Sequence, residues 1–408
     1  MTKSIAISGF VKPGFEAVRE AFIENFERRH ELGAACCIYY RGEKVVDLWG
    51  GVRNQATNEP WEEDTMVLVF STTKGLAGLA MALAHSRGLF DYDERLSTYW
   101  PEFAQQGKEK ITVRQLLSHQ AGLFVLDEPL DAGLVADLDR LAVVLARQKP
   151  AWEPGTRQAY HAITLGFYEN ELLRRVDPEH RSIGQFFQEE IAAPLGLDFY
   201  IRLPEEIPNS RLAPLQRPSP VRMISSIFTM PVSLALSGMN SRSNLRRALL
   251  GSELPEEEGK ERVYARNLEV PAGGGVGTAR AIARAYSVFA TSGRELDLHE
   301  ETLRQLMAPP VPPLHGFHDE CLKVEVAFSL GFMKPTPNNP FSHPSSFGAP
   351  GTGGSFGFAD PQAEIGYGYV TNRIGMSLKD PRELALRNAM YRSIGETDPY
   401  HERREQSS

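Results

Sequence analysis

A serine and a lysine three residues apart, Ser71 and Lys74, are the side chains of this sequence best suited to nucleophilic catalysis. They precede a nearly uncharged stretch rich in Leu, Ala and Met, residues 75–87, which predicts a buried helix. Residues three apart share a helix face, and the first helical turn presents unpaired N–H groups and the positive end of the dipole. Burial lowers the pKa of a lysine, and a neutral amine can act as general base toward a hydroxyl. We therefore expect Ser71 to be a nucleophile activated by Lys74.

The alternative interpretation is an N-cap serine followed by a lysine that extends to solvent, the usual meaning of an isolated S-x-x-K match. Two further segments favour the catalytic interpretation. Tyr160 and His161 follow a turn formed by residues 152–156, and a glycine-rich stretch, residues 347–357, leads into a strand-like pattern. Glycines at an edge strand let a substrate approach closely, so that a strand N–H could join the Ser71 N–H in an oxyanion hole.

In their order, these segments resemble the class C β-lactamase-like serine hydrolases known as family VIII carboxylesterases. The resemblance extends from about residue 38 to residue 372 and includes Leu-Leu-Ser-His-Gln-Ala-Gly-Leu at 116–123 and Pro-Leu-Gly-Leu at 194–197. It implies a β-lactamase/transpeptidase-like fold of the α/β (α+β) class. In such a fold an antiparallel sheet is flanked by helices and a mainly helical domain is inserted.

The resemblance also implies roles for individual residues. Tyr160 would stand beside Ser71 and Lys74 and carry the proton between them, and the backbone amide of Thr352 would be the second oxyanion donor. An adjacent ammonium favours a phenolate, so the tyrosine role is chemically reasonable, although Lys74 and Tyr160 both stay open as the general base. The residues that we expect to contact the substrate are His161, Gly351 and Gly353.

Two alanines depart from the pattern of β-lactamases. Penicillin-binding proteins and β-lactamases carry a lysine or histidine at the position of Ala349, which would bind a substrate carboxylate. Class C enzymes carry an asparagine at the position of Ala162, which would bind a substrate amide. Both replacements favour neutral esters as substrates.

The sequence therefore predicts a serine carboxylesterase that hydrolyses neutral, short-chain acyl esters through an acyl-enzyme on Ser71. A β-lactamase or a D-amino-acid peptidase or amidase of the same fold is the alternative among enzymes. Outside the enzymes, the alternative is a non-catalytic binding protein that retains the fold, because fold does not establish function. A Ser-His-Asp hydrolase would need a strand-turn-helix nucleophile elbow, and we find no convincing one in the sequence. We expect His119 to be a structural residue at a helix end.

Hydrophobic periodicity predicts similar elements at both ends of the chain. We expect a sheet domain from residues 1–90 and 273–408, an inserted helical domain from 91–272, and the active site between them. The predicted strands are residues 34–40, 44–49, 355–359 and 365–371. The predicted helices, besides the one after Ser71, are residues 13–30, 113–119, 134–147, 162–176, 183–193, 278–291 and 381–394.

Composition limits the partners of the protein. The 408 residues are 42% hydrophobic and 24% charged, which is typical of a globular chain, and the net charge of −8 gives no general attraction to nucleic acid or anionic membranes. The three cysteines do not form a disulfide framework, and neither a signal peptide nor an apolar run of about 18 residues occurs. We therefore expect a cytoplasmic protein without a membrane span, whose partner is a small-molecule ester; the oligomeric state stays open.

No cofactor or metal is implied by the sequence. The cluster His315, His318, Asp319, Glu320 and Cys321 lacks zinc-like spacing, and we expect it to be a solvated loop. The glycines at 273–277 match no phosphate-binding motif. The apolar residues 227–236 would belong either to an acyl pocket or to the core.

Overall fold

The structure is a computed structural model that describes residues 6–216, 240, 243–250, 263–375, 377 and 379–396. Its strands are β1 (Ile7–Val11), β2 (Gly33–Tyr40), β3 (Glu43–Asn54), β4 (Glu59–Pro60), β5 (Val67–Leu68), β6 (Phe199–Tyr200), β7 (Val276–Gly277), β8 (Ala327–Ser329), β9 (Phe332–Lys334), β10 (Phe347–Pro350), β11 (Phe356–Asp360) and β12 (Ile365–Thr371). Its α-helices are α1 (Glu16–Arg28), α2 (Thr72–Ser86), α3 (Leu96–Tyr99), α4 (Val113–Leu117), α5 (Ala132–Ala136), α6 (Leu138–Arg147), α7 (Thr164–Val176), α8 (Ile183–Phe187), α9 (Ala193–Leu195), α10 (Asn244–Leu250), α11 (Ala279–Ala290), α12 (Glu300–Met307) and α13 (Pro381–Ser393). The apolar run at 227–236 lies outside the described residues.

The main sheet is antiparallel and has the strand order β1-β3-β2-β12-β11-β10-β9-β8, with β4 paired to β3. Strands from the start and the end of the chain therefore meet at its centre, where β2 pairs with β12. β5, β7 and β6 form a separate small sheet. The division of the chain at residues 91 and 272 stays a prediction.

The terminal hairpins form where the runs of apolar, β-favouring residues predicted them. Arg41 and Gly42 both adopt positive φ, 53° and 75°, which suits the two-residue turn between β2 and β3. β3 continues to Asn54, five residues beyond the predicted end. The glycines at 50 and 51 do not end it, because β1 pairs with Gly50 and β2 pairs with both glycines.

The two faces of the sheet are covered by different helices. On one face, aromatic and aliphatic side chains of β2, β11 and β12 pack with α1 and α13. On the other face glycines leave room for α11. A Cβ added at Gly357, Gly366 or Gly368 would lie 2.3–2.4 Å from an atom of this helix. Helix and sheet backbones are thus in direct contact.

The helix after Ser71 is buried as its composition predicted. Every residue of α2 except His85 is buried, and the helix begins at Thr72, so that Ser71 stands at its start as expected. Around it stand α7, α8 and α12 together with β10. None of the helices within the described ranges is long and apolar enough to cross a membrane.

Two predicted helices are interrupted. Residues 134–147 divide into α5 and α6, because the side chain of Asp137 accepts a hydrogen bond from the Arg140 N–H and begins a new helix. Residues 183–193 contain α8 followed by a π-helical turn, Gln188–Ala192. The remaining predicted helices are present, with ends that differ from the prediction by at most three residues.

A carboxyl group on α7, Glu169, is completely buried. Neither of its oxygens has a hydrogen-bond partner among the residues that the structure describes. Burial raises the pKa of this group to about 8, and the positive charge of Lys74 only partly offsets the effect. The folded protein therefore holds this carboxyl protonated at neutral pH.

We expect Gly366→Ala to destabilise the protein by about 1–3 kcal/mol, because the new methyl group would lie 2.4 Å from both the Ala283 carbonyl oxygen and the Ser287 nitrogen of α11. The measurement is the free energy of unfolding in urea. Gly273→Ala is the matched control, because no atom lies within 4 Å of its added Cβ. Equal stabilities of the two variants would contradict the close contact.

We expect Glu169→Gln to remove part of the pH dependence of stability. The raised pKa makes unfolding release a proton, so the wild type loses stability as pH rises from about 4.5 to about 8, and the glutamine variant lacks this contribution. Urea unfolding at about pH 5 and about pH 8.5 should show the variant gaining several kcal/mol relative to the wild type. Glu27→Gln, on the exposed side of α1, is the control, and a pH-independent difference for Glu169→Gln would contradict the protonated state.

Candidate active site

The backbone before α2 presents Ser71 in an unusual way. Phe70 has a φ of 46°, a left-handed conformation that is strained for a bulky residue. Its carbonyl oxygen accepts hydrogen bonds from the Thr73 nitrogen at 2.9 Å and from Thr73 Oγ1 at 2.5 Å. The Gly275 N–H donates in turn to Thr73 Oγ1 at 2.9 Å. The glycines at 273–277 thus help to hold the turn that precedes Ser71.

The Ser71 hydroxyl is not used as a helix cap. Ser71 occupies the N-cap position of α2, yet its side chain makes no capping hydrogen bond. Instead Ser71 Oγ lies 2.8 Å from the Tyr160 hydroxyl and 3.2 Å from Lys74 Nζ, and both donate to it. The structure therefore brings together the three side chains that the sequence singled out, and Ser71, although it stands at the N-cap position, does not cap the helix with its side chain.

Lys74 is held by backbone carbonyls from distant parts of the chain. Its Nζ donates to the carbonyl oxygens of Ala162 and Ala272, both at 2.7 Å, and the side chain is buried. Two of the three positions around the nitrogen are thus occupied, and the third faces Ser71 Oγ. In the neutral amine this third position carries the lone pair, which is the geometry of a general base.

Tyr160 is fixed by aromatic contacts as well as by hydrogen bonds. Phe328, on β8, stacks on its ring with the centroids 5.5 Å apart and the planes 20° apart. The His119 ring lies 5.1 Å away, and Lys74 Nζ lies 4.8 Å from the centre of the tyrosine ring. Sequence reasoning missed Phe328, because nothing in its local pattern connects β8 with residue 160.

His119 and His161 form a buried pair behind Tyr160. His161 Nε2 accepts from the Leu123 N–H at 3.1 Å, so its proton is assigned to Nδ1, which lies 2.8 Å from the Ala159 oxygen. Burial lowers the pKa of His161 to about 3 and that of His119 well below its usual value, so both rings are neutral. His119 has the structural role that we expected. His161 has no exposed surface, and this burial does not fit the substrate contact predicted for it.

The glycine-rich loop after β10 lies against the segment that carries Ser71. A Cβ added at Gly351 would lie 2.2 Å from the Val69 oxygen, and Gly353 has a φ of 96°. Gly351 and Gly353 are half-buried and Thr352 is exposed. Within the described residues neither the Ser71 N–H nor the Thr352 N–H donates a hydrogen bond, so both are available to an acceptor.

The two alanines that depart from the β-lactamase pattern sit close to this arrangement. Ala349 is buried on β10, where its Cβ lies 3.1 Å from the position of a Cβ added at Gly75. Ala162 is buried and contributes its carbonyl oxygen to Lys74. Neither side chain offers a charge or an amide to a substrate.

The cluster at residues 315–321 is only partly the solvated loop that we expected. His315 and His318 are exposed, but Asp319 and Cys321 are buried. The prediction was wrong for Asp319 because backbone N–H groups solvate its carboxylate inside the protein. No group of His, Cys, Asp and Glu side chains in the described part of the chain is arranged to hold a metal ion.

Known proteins are similar to this chain in sequence and in architecture. The esterase/β-lactamase LipL of Mycobacterium tuberculosis is 31% identical over 373 residues, which cover 90% of this chain and 83% of LipL. The structure of a family VIII carboxylesterase matches with a TM-score of 0.82 and 35% identity over 95% of this chain and 100% of that one. A penicillin-binding protein homologue from Caulobacter crescentus matches with a TM-score of 0.80 and 33% identity, over 95% of this chain and 100% of that one.

These matches confirm the β-lactamase/transpeptidase-like fold that the sequence resemblance implied. The family model described as beta-lactamase matches residues 18–389, which include every element from α1 to α13 apart from the ends of these two helices. The chain therefore belongs to the β-lactamase family of serine hydrolases.

Proposed function

We propose that this protein is a serine carboxylesterase that hydrolyses neutral, short-chain acyl esters through an acyl-enzyme on Ser71. The observation that carries the proposal is the convergence of Lys74 Nζ and the Tyr160 hydroxyl on one serine oxygen. A free hydroxyl flanked by two proton-transfer groups is the arrangement of an activated nucleophile. A protein that only binds a ligand has no need of an activated nucleophile.

In the proposed mechanism Ser71 Oγ attacks the ester carbonyl carbon, and its proton passes to the Lys74–Tyr160 pair. The carbonyl oxygen becomes an oxyanion that accepts hydrogen bonds from the N–H groups of Ser71 and Thr352. When the tetrahedral intermediate collapses, the alcohol leaves with a proton from the same pair. Water then attacks the acyl-enzyme, and the reverse proton transfers release the acid and restore Ser71.

The preference for neutral esters is supported by the absence of a charge at Ala349 and of an amide at Ala162. The esterase named among the similar structures and the esterase part of the name LipL favour the same substrate class. Because LipL is also named a β-lactamase, β-lactam hydrolysis by the same acyl-enzyme chemistry is the second candidate. Under either candidate function, ester hydrolysis or β-lactam hydrolysis, the substrate is a small molecule.

A cytoplasmic location is part of this proposal. Cys36, Cys37 and Cys321 are all free thiols, which suits a reducing compartment.

We expect Ser71→Ala to abolish covalent labelling by a fluorophosphonate probe and to lower kcat for p-nitrophenyl butyrate by about 10³-fold or more, because the attacking oxygen is removed. Labelling is read by intact-protein mass spectrometry. Ser97→Ala, which removes a hydroxyl on α3, is the control and should keep both signals. A folded wild type that takes up no label would refute the hydrolase mechanism.

Charge selectivity should be visible with two esters of similar length. We expect kcat/KM for p-nitrophenyl butyrate to exceed that for mono-p-nitrophenyl succinate by about 10-fold or more, because the uncharged Ala349 position offers the succinate carboxylate no partner. A chromogenic cephalosporin, which is also anionic, should be slower still. Faster turnover of the cephalosporin than of the butyrate would favour the β-lactamase alternative.

A further inference from the structure

The Thr352 N–H, the proposed oxyanion donor, belongs to a tight turn of the backbone, residues 351–354, which we call the oxyanion turn. The Gly354 N–H donates to the Gly351 carbonyl oxygen at 3.2 Å, and Gly353, the third residue, has a φ of 96°. A positive φ at the third residue is typical of a type II turn, whose own hydrogen bond joins its first and last residues. The turn therefore leaves the N–H of its second residue, Thr352, to an acceptor.

The carbonyl oxygen of Gly353 fastens the oxyanion turn to the start of α13. It accepts hydrogen bonds from Arg382 Nη2 at 3.0 Å and from the Gly375 N–H at 2.9 Å. The packing is close, because a Cβ added at Gly354 would lie 2.6 Å from Asp380 Oδ2 and 3.2 Å from Arg382 Nη2. The oxyanion turn therefore rests directly on the side chains of Asp380 and Arg382.

The Arg382 guanidinium is buried between two carboxylates. Only 3% of the residue is exposed. Its Nε and Nη2 donate to the two oxygens of Asp380 at 2.9 Å and 2.7 Å, and its Nη1 donates to Glu31 Oε1 at 2.9 Å. Because both ends of the planar fork are occupied, the guanidinium is held in one orientation, and in this orientation Nη2 reaches the Gly353 oxygen.

The contacts of Arg382 separate a structural tie from a second task. Nη1 ties α13 to the sheet, because Glu31 lies two residues before β2. Nη2 bonds different groups: besides Asp380, these are the carbonyl oxygens of Gly353 and Arg373, which both lie outside helices and strands. A tie between helix and sheet has no need of the oxyanion turn, so the contact with Gly353 calls for a separate explanation.

We propose that Arg382 is a positioning residue for catalysis, which holds the oxyanion turn so that the Thr352 N–H stays directed at the same substrate oxygen as the Ser71 N–H. Arg382 acts only through the Gly353 carbonyl and is not itself an oxyanion donor. This inference rests on the proposed acyl-enzyme mechanism. The loss of one oxyanion donor costs about 100- to 1000-fold in kcat, so a displaced turn should cost a part of this factor.

Two substitutions test the two ends of this chain of contacts. Arg382→Lys keeps a positive charge between Asp380 and Glu31, but an ammonium does not reproduce the planar fork that reaches Gly353. Thr352→Pro removes the donor itself, because proline has no N–H and suits the second position of a type II turn. The first variant therefore loosens the turn, and the second deletes what the turn presents.

The matched control is Arg387→Lys, on the same helix. Arg387 is also a buried guanidinium that pairs with a carboxylate, Glu383, at 2.9 Å and donates to a backbone carbonyl, that of Phe341, at 2.8 Å. That carbonyl lies outside the oxyanion turn. We therefore expect the control to lose stability, as Arg382→Lys does, but to keep kcat.

The experiment measures kcat and KM for p-nitrophenyl butyrate and the inhibition constant of n-propylboronic acid, whose tetrahedral adduct with Ser71 places an oxygen in the oxyanion hole. The kcat is normalised to the amount of protein that a fluorophosphonate labels at completion, so unfolded protein does not count. We expect Arg382→Lys to lower kcat by about 10- to 100-fold with KM changed by less than about 3-fold. The inhibition constant should rise by a similar factor, because a transition-state analogue uses the same donors.

A double-mutant cycle with Thr352→Pro distinguishes positioning from general loss of structure. We expect Thr352→Pro alone to lower kcat by about 100-fold or more, and Arg382→Lys to lower it further by less than about 2-fold in that background. Equal losses in the two backgrounds, an unchanged inhibition constant in Arg382→Lys, or wild-type kcat in either single variant would overturn the inference. A wild type as inactive as Ser71→Ala would overturn the proposed function and the inference with it.

Asp380→Asn is a second variant, which tests the same contact if Arg382→Lys does not fold. Its Oδ1 can still accept from the Arg382 backbone N–H, which caps α13 at 2.9 Å in the wild type. Its NH₂ group then faces Arg382 Nη2, so the fork is no longer held toward Gly353. We expect a smaller loss of kcat than in Arg382→Lys, again absent in the Thr352→Pro background. A folded Asp380→Asn with wild-type kcat and inhibition constant would overturn the inference.

Discussion

The desolvation of Lys74 is the constraint on which the rest of the site depends. A lysine at the start of a buried helix must find acceptors inside the protein, because water does not reach it. The carbonyl oxygens of Ala162 and Ala272 meet this need and leave one direction around the nitrogen, which points to Ser71. The same contacts that make the burial of the lysine tolerable therefore direct its nitrogen at Ser71 Oγ.

Much of this could be predicted from the sequence, because local patterns determine it. The apolar composition of α2 indicated burial, the apolar, β-favouring runs of β2 and β12 indicated strands, and the spacing of Ser71 and Lys74 indicated a shared helix face. The ordered motifs gave the fold, and they also placed Tyr160 beside the pair. The geometry that results agrees with that expectation for all three side chains.

The features that sequence reasoning missed depend on individual polar contacts, some of them local and some between distant segments. Asp319 looked like part of a solvated loop, but the N–H groups of Cys321 and Leu322 and the side-chain amide of Gln158 surround its carboxylate inside the protein. His161 looked like a pocket residue because it follows Tyr160 in the sequence. Its ring instead lies in the interior of the protein, in contact with the buried ring of His119. The break between α5 and α6 depended on one capping aspartate within an otherwise continuous apolar pattern. In each case a polar side chain bonded to backbone groups that periodicity does not reveal.

The two carbonyl partners of Lys74 also bear on how the enzyme folds. Ala162 lies 88 residues and Ala272 lies 198 residues from Lys74 along the chain, so neither contact forms early by local collapse. Until both segments have docked, Lys74 Nζ lacks these two acceptors and is not held toward Ser71 Oγ. Under the proposed mechanism, covalent labelling of Ser71 would therefore report that segments far apart in the sequence have already assembled around Lys74.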